Sequence, residues 1–211
     1  MNFDTLSNAV IKGNIELAKT QTQNAIDGGA DPQTILDEGL IAAMDIVGEK
    51  FAQGAMFVPQ MLRSAKTMQE CVALLKPYFQ DGGMTSKGKV VLGTVKGDLH
   101  DIGKNLVAMM LEGAGFEIID LGVDVSPEAF VEAASKEEGQ IIGMSALLST
   151  TMPAMADTIK ALKGSGQRSH LKIMIGGAPV TAEFADEIGA DSYAPDAGTA
   201  VTEAKKLLDV Q

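Results

Sequence analysis

Apolar residues recur every three to four positions through residues 3–75, and from residue 89 onward they gather into short β-branched runs separated by helical stretches. The first part predicts helices. Phe3 to Ile11 forms a short one, stopped by Gly13, and Ile15 to Ile26 forms a second that ends at Gly28-Gly29. Asp31 followed by Pro32 reads as an N-cap with proline at the first helical position. It opens a long amphipathic segment carrying Ile35, Leu36, Leu40, Ile41, Met44, Ile46, Val47 and Phe51, which Gly54 ends. Pro59 starts a fourth helix through Met61, Met68, Cys71 and Leu75. Four helices joined by short loops make a small helical bundle.

The stretch Asp81 to Gly88 is short, polar and glycine-rich, and the hydrophobic period changes after it. Beyond it, strands are predicted at Lys89–Val95, Glu117–Leu121, Gln140–Ser145, Leu171–Ile175 and Asp191–Ala194. Helices are predicted over Gly103–Leu111, from the Ser126-Pro127 cap to Lys136, and over Pro153–Leu162, Thr181–Ile188 and Thr199–Leu208. Five strands alternating with helices build a doubly wound parallel sheet, an α/β fold. The expected organisation is a helical domain over residues 1–82, a linker over 83–88 and an α/β domain over 89–211.

Composition narrows the function without naming it. A net charge of −11 argues against sequence-independent nucleic-acid binding, which needs a basic face. No apolar run approaches the ~20 residues of a membrane span. The first residues carry no basic region followed by an apolar stretch, and the one cysteine allows no internal disulfide, which together point to the cytoplasm. Cys71 sits in an apolar helical pattern and reads as core, as do most of the 12 methionines.

The candidate chemistry lies in three loops expected at the carboxyl ends of strands, where open α/β sheets bind ligands. The first carries Gly97, Asp98, His100, Asp101, Ile102 and Gly103 between the first strand and its helix. A histidine two residues after a carboxylate can have one ring nitrogen oriented by it. The second loop runs Ser145, Ala146, Leu147, Leu148, Ser149, Thr150, Thr151, and its hydroxyls are donors for a polar ligand or for Asp98. The third holds Gly176-Gly177, where absent side chains would let a ligand approach the backbone. With two histidines and one cysteine in the chain, a protein-built metal cage is not expected. His170, before a strand, reads as structural. A histidine serving a metal that already carries most of its ligands, as in a tetrapyrrole, needs no cage.

The pattern Asp98-x-His100-x-x-Gly103, with Ser145-x-Leu147 and Gly176-Gly177 downstream, resembles the signature of cobalamin-binding domains. The preceding Phe51-x-x-Gly54-x-Met56-Phe57-Val58-Pro59-Gln60-Met61 is similar to the helical cap beside such a domain in cobalamin-dependent methionine synthase. The two-part chain at this length resembles the free-standing corrinoid proteins of methanol, methylamine and aryl-ether methyltransferase systems. The resemblance covers nearly the whole chain and implies a Rossmann- or flavodoxin-like corrinoid domain.

It further implies that His100 replaces the cofactor's own dimethylbenzimidazole as lower axial ligand to cobalt. Asp98 would then bind the other ring nitrogen, and Thr151 would stand where methionine synthase has a serine hydroxyl completing the relay. The displaced nucleotide tail would run through a slot lined by Ser145, Leu147, Ser149, Gly176 and Gly177. Phe51, Val58 and Met61 would cover the reactive upper face, although plain bundle core explains them equally well. The implied function is a methyl carrier. Cobalt(I) accepts a methyl group from a substrate-specific corrinoid methyltransferase, and methylcobalt(III) gives it to a second methyltransferase with tetrahydrofolate or a thiol as acceptor. A reductive activator is a further implied partner, and the linker is the implied hinge for the cap. Three alternatives remain open: the small subunit of an adenosylcobalamin mutase, a cobalamin-dependent sensor, and a corrin-free receiver-like domain in which Asp98 serves phosphate chemistry.

Overall fold

The computed structural model describes residues 2–79 and 85–210, so much of the glycine-rich stretch, including 83 and 84 of the expected linker, lies outside the described residues. The chain divides into two compact units, Met1–Ser86 with Glu112–Gly115, and Lys87–Leu111 with Phe116–Gln211.

The first unit is helical: α1 (Asp4–Ile11), α2 (Ile15–Asp27), α3 (Pro32–Thr34), a π-helical segment (Ile35–Ile41), α4 (Ala42–Ala52), α5 (Val58–Leu75) and a 3-10 turn (Lys76–Tyr78). Asp31 caps as expected, its side chain accepting the N–H of Thr34, with Pro32 in the first turn. The helix expected from Asp31 onward runs through α3 and α4 but widens between them. Its buried pairs Ile35-Leu36 and Leu40-Ile41 stand five residues apart, the repeat of an i→i+5 helix rather than an α-helix. Leu6, Ile35, Leu40, Met44, Met61 and Leu75 are among the largest fully buried side chains. Two side-chain bonds tie α1 to its neighbours, from Ser7 to Gly39 O at 2.9 Å and from Ser64 to Ile11 O at 3.0 Å.

The second unit is a five-stranded parallel sheet in the order β2-β1-β3-β4-β5. Its strands are β1 (Lys89–Thr94), β2 (Glu117–Asp120), β3 (Ile141–Ser145), β4 (Lys172–Gly176) and β5 (Ser192–Ala194). The helices are α6 (Ile102–Gly113), α7 (Pro127–Lys136), α8 (Pro153–Gly164), α9 (Ala182–Ile188) and α10 (Ala197–Leu208). This is the doubly wound α/β fold expected from the alternating pattern, with ends that differ by at most two residues. Ser126 and Thr181 cap α7 and α9 through their side chains. Apolar strand residues Val91, Ile142, Met144, Ile173 and Ile175 pack with Phe130, Met155, Ile159 and Leu162 of α7 and α8.

The order matters for function. The chain leaves β1 toward β2 on one side and returns to β3 on the other, so the edge above β1 and β3 is the switch point where a crevice forms. Register brings Thr94 opposite Ser145, Ser145 opposite Gly176 and Gly176 opposite Ala194. The three candidate loops therefore start at one level on one edge.

Candidate functional site

Asp98 is the centre of the site. Its side chain is fully buried, and it accepts five hydrogen bonds. Oδ1 takes the His100 N–H at 3.1 Å and His100 Nδ1 at 2.7 Å. Oδ2 takes the N–H groups of Leu147 at 2.8 Å and Leu148 at 3.3 Å, and the Thr151 hydroxyl at 2.7 Å. Burial alone would push this carboxyl up. The bonds from Leu147, Thr151 and His100 outweigh it and hold Asp98 well below the usual carboxylate range.

An ionised Asp98 only accepts, so the proton between it and His100 belongs to Nδ1. In the neutral imidazole the lone pair then lies on Nε2, on a side chain that is 51% exposed. That is the tautomer a metal-ligating imidazole needs, fixed by an outer carboxylate. Thr94 Oγ1 holds the His100 carbonyl at 2.9 Å, so the backbone of the loop is fixed as well as the ring.

The surroundings suit a large, partly apolar ligand that brings its own metal. Among the described residues, every large hydrophobic that the α/β unit exposes comes from the loops after β1, β2 and β3 or from the first residue of α6: Leu99, Ile102, Val123, Leu147 and Leu148. Ile102 is 78% exposed at the start of α6. No group of three His, Cys, Asp or Glu side chains among the described residues could hold a metal ion. His170 is exposed in the 3-10 turn before β4, at the opposite edge of the sheet.

The expected site residues fall into distinct roles. Gly97, Asp98, His100, Asp101, Ile102 and Gly103 form one loop and helix start, joined to Leu147 and Thr151 through Asp98. Leu147 contributes its N–H there and leaves its side chain exposed. Ser145 is half-buried at the end of β3, and Ser149 is exposed. The glycine pair has a structural requirement that the sequence did not reveal. A Cβ on Gly177, at φ +129, would lie 1.9 Å from Ala146 O, and one on Gly176 would lie 2.7 Å from Ala194 O. Close approach of neighbouring backbone explains both glycines before any ligand is considered. In the helical unit, Met61 is fully buried, Phe51 is half-buried and Val58 is 37% exposed. Phe57, which the sequence did not single out as a site residue, is 71% exposed, and its N–H is held by Gln60 Oε1 at 3.0 Å.

The receiver-like alternative meets a direct obstacle. Phosphate chemistry needs an accessible carboxylate, whereas both oxygens of Asp98 are buried and taken by donors.

Comparison with known proteins agrees with this geometry. Residues 88–204 match the B12 binding domain, and residues 3–76 match a second model described as a B12 binding domain. Dimethylamine corrinoid protein 1 of Methanosarcina acetivorans is 47% identical over 182 residues, covering 86% of this chain and 85% of that protein. Trimethylamine corrinoid protein 2 of Methanosarcina mazei is 40% identical over 205 residues, covering 96% and 94%. Among solved structures, the methanol:cobalamin methyltransferase complex MtaBC from Methanosarcina barkeri contains a chain with a TM-score of 0.87 and 29% identity, over 98% of this chain and 79% of that one. No described helix is long and apolar enough to cross a membrane. With its buried relay at the switch point and both units matched, the chain belongs to the B12-binding corrinoid protein family.

Proposed function

We propose that this chain is the methyl-carrier subunit of a corrinoid methyltransferase system, with His100 as the protein's ligand to cobalt. The observation that carries the proposal is the relay from Thr151 through Asp98 to His100, which engages Nδ1 and leaves Nε2 as the ring nitrogen open to a ligand. When bound, the corrinoid supplies a cobalt ion that takes up and gives up a methyl group.

The chain's own residues bind, orient and buffer charge. Asp98 holds the imidazole tautomer and balances charge gained at the ring, and Thr151 and the Leu147 N–H keep that carboxylate ionised while buried. A change in electron demand at Nε2 would be felt through two short hydrogen bonds, so the donor strength of His100 could change while the carboxylate stays buried. Ser145, Leu147, Ser149, Gly176 and Gly177 are the proposed lining for the nucleotide tail, and Gly103 leaves open space where a side chain would stand. Phe51 and Val58 are the proposed apolar cofactor contacts of the helical unit, whereas Met61 is fully buried. On this proposal residues 1–82 act as the cap, 83–88 as its linker and 89–211 as the corrinoid domain, in the cytoplasm.

The proposed partners are a substrate-specific corrinoid methyltransferase of the methylamine or methanol kind, a second methyltransferase to tetrahydrofolate or a thiol, and a reductive activator. The test loads the protein with hydroxocobalamin, reduces it, and adds substrate with each of the dimethylamine, trimethylamine and methanol methyltransferases in turn. A substrate-dependent change in the corrin spectrum with one of them supports the carrier. Tight corrin binding with no change in any of them contradicts it and favours a mutase or sensor role.

A further inference from the structure

The loop that presents His100 is held by a residue with no part in the relay. Asp124 follows β2, in the loop leading to α7, and its carboxylate Oδ1 accepts the N–H of Gly97 at 2.7 Å. Its own N–H donates to Asp98 O at 3.0 Å. These bonds grip the backbone on either side of the Asp98 α-carbon, so one residue sets where the relay carboxylate starts. Asp124 does so with φ at +53°, left-handed backbone that is unfavourable for an L-residue and that aspartate tolerates better than most. A strained, solvent-exposed residue with two bonds to the functional loop calls for a reason beyond folding.

The clamp is itself anchored. Thr94 N donates to Gly122 O at 2.9 Å, and Val125 N donates to Thr94 O at 3.0 Å, so the Asp124 loop is bound along the end of β1. Asp120 accepts Gly122 N at 2.9 Å and the ammonium of Lys104 at 2.6 Å. Lys104, 2% exposed in the first turn of α6, also donates to Asn105 Oδ1, and Asn105 reaches Asp101. The end of β2 and the loop after it thus tie down both ends of the segment carrying His100.

We infer that Asp124 is a positioning residue for the axial histidine, fixing the Gly97–Asp98 backbone so that the Asp98 carboxylate holds His100 in its ligating orientation. This rests on the reading of His100 as cobalt ligand. Removing the Asp124 carboxylate frees Gly97 N–H and loosens the loop, so histidine ligation should weaken by about tenfold, the order expected for one hydrogen bond to a charged acceptor.

The test uses the full chain loaded with cob(II)alamin, with nitrogen-labelled histidine, and reads the label in the axial hyperfine splitting of the electron paramagnetic resonance spectrum. Hydroxocobalamin affinity is measured in parallel. Asp124→Gly removes the carboxylate while accepting the left-handed backbone, so strain cannot account for its effect. Asp124→Asn keeps an acceptor oxygen and tolerates the same backbone. The inference predicts reduced labelled splitting and about tenfold weaker hydroxocobalamin binding in Asp124→Gly, with both restored in Asp124→Asn. Splitting retained in Asp124→Gly overturns it, whether or not affinity falls, because a merely structural role would leave ligation intact. His100→Ala separates the two claims: if that variant keeps the labelled splitting, it is the ligand reading that fails.

Discussion

The Thr151 hydroxyl lies 2.7 Å from Asp98 Oδ2, while the same oxygen atom of Thr151 stands 2.8 Å from Leu148 O. One proton faces two acceptors, and the charged carboxylate is the stronger of them. The methyl group that distinguishes threonine from serine does not disturb this contact.

Thr151→Ser should therefore keep the relay and cost the apoprotein no more than about 1 kcal/mol, the worth of one buried methyl group. Thr151→Val keeps the shape and removes the donor, which should cost about 1.5–3 kcal/mol because a buried carboxylate loses a partner. Urea unfolding of the two apoprotein variants separates them, and similar losses in both would contradict the hydroxyl's role.

Asp98 makes stability pH-dependent in a definite direction. Its folded value is depressed, so its contribution is fully present above the unfolded value of about 3.9 and is lost as pH falls through the folded value. Unfolding free energy of the apoprotein should decline below about pH 5, and Asp98→Asn should flatten that decline. Equal acid limbs in parent and variant would show that Asp98 is not the group responsible.

The glycines of the site should respond oppositely. Gly177→Ala drives a Cβ into Ala146 O and should destabilise the apoprotein by about 3 kcal/mol or more. Gly103→Ala meets no atom within 4 Å and should leave the apoprotein as stable or up to about 1 kcal/mol more so. A fall in hydroxocobalamin affinity for Gly103→Ala without a fall in stability would place the ligand against that face, and unchanged affinity would place it elsewhere.

Lys104 and Asp120 should show an asymmetry. Asp120→Asn leaves a buried ammonium without its counter-charge, whereas Lys104→Met removes the charge that needed pairing. With Asp120 40% exposed, water softens the first loss to about 1–3 kcal/mol, and Lys104→Met should cost less. Thermal unfolding of both variants tests the order, and the reverse order would contradict it.

Local chemistry was legible in the sequence, and distant pairing was not. Asp98 and His100 are two residues apart, so their contact follows from spacing. The caps at Asp31 and Ser126 act within three residues and are equally readable, whereas Thr181, expected inside its helix, caps it instead. The π-helical segment leaves a trace in the five-residue spacing of Ile35-Leu36 and Leu40-Ile41, but the same residues also fit an ordinary amphipathic helix. Asp124 lies 27 residues from Gly97 and carries no motif, so only the fold brings them together. The resemblance pointed to Thr151, but its bond to Asp98 spans 53 residues and needed the β1–β3 pairing to appear. The Gly176-Gly177 signal was real, yet its immediate cause is the neighbouring backbone.

His100 is the residue on which the proposed cofactor ligation depends. The chain contains two histidines, so labelled histidine reports on His100 and His170 alone. The decisive measurement is the electron paramagnetic resonance spectrum of the cob(II)alamin-loaded protein with labelled histidine, compared across the parent, His170→Ala and His100→Ala. The account predicts axial splitting from the label in the parent and in His170→Ala, and its loss in His100→Ala. Splitting that ignores the label would mean that the cofactor's own base stays on cobalt, and that would contradict the proposed ligation.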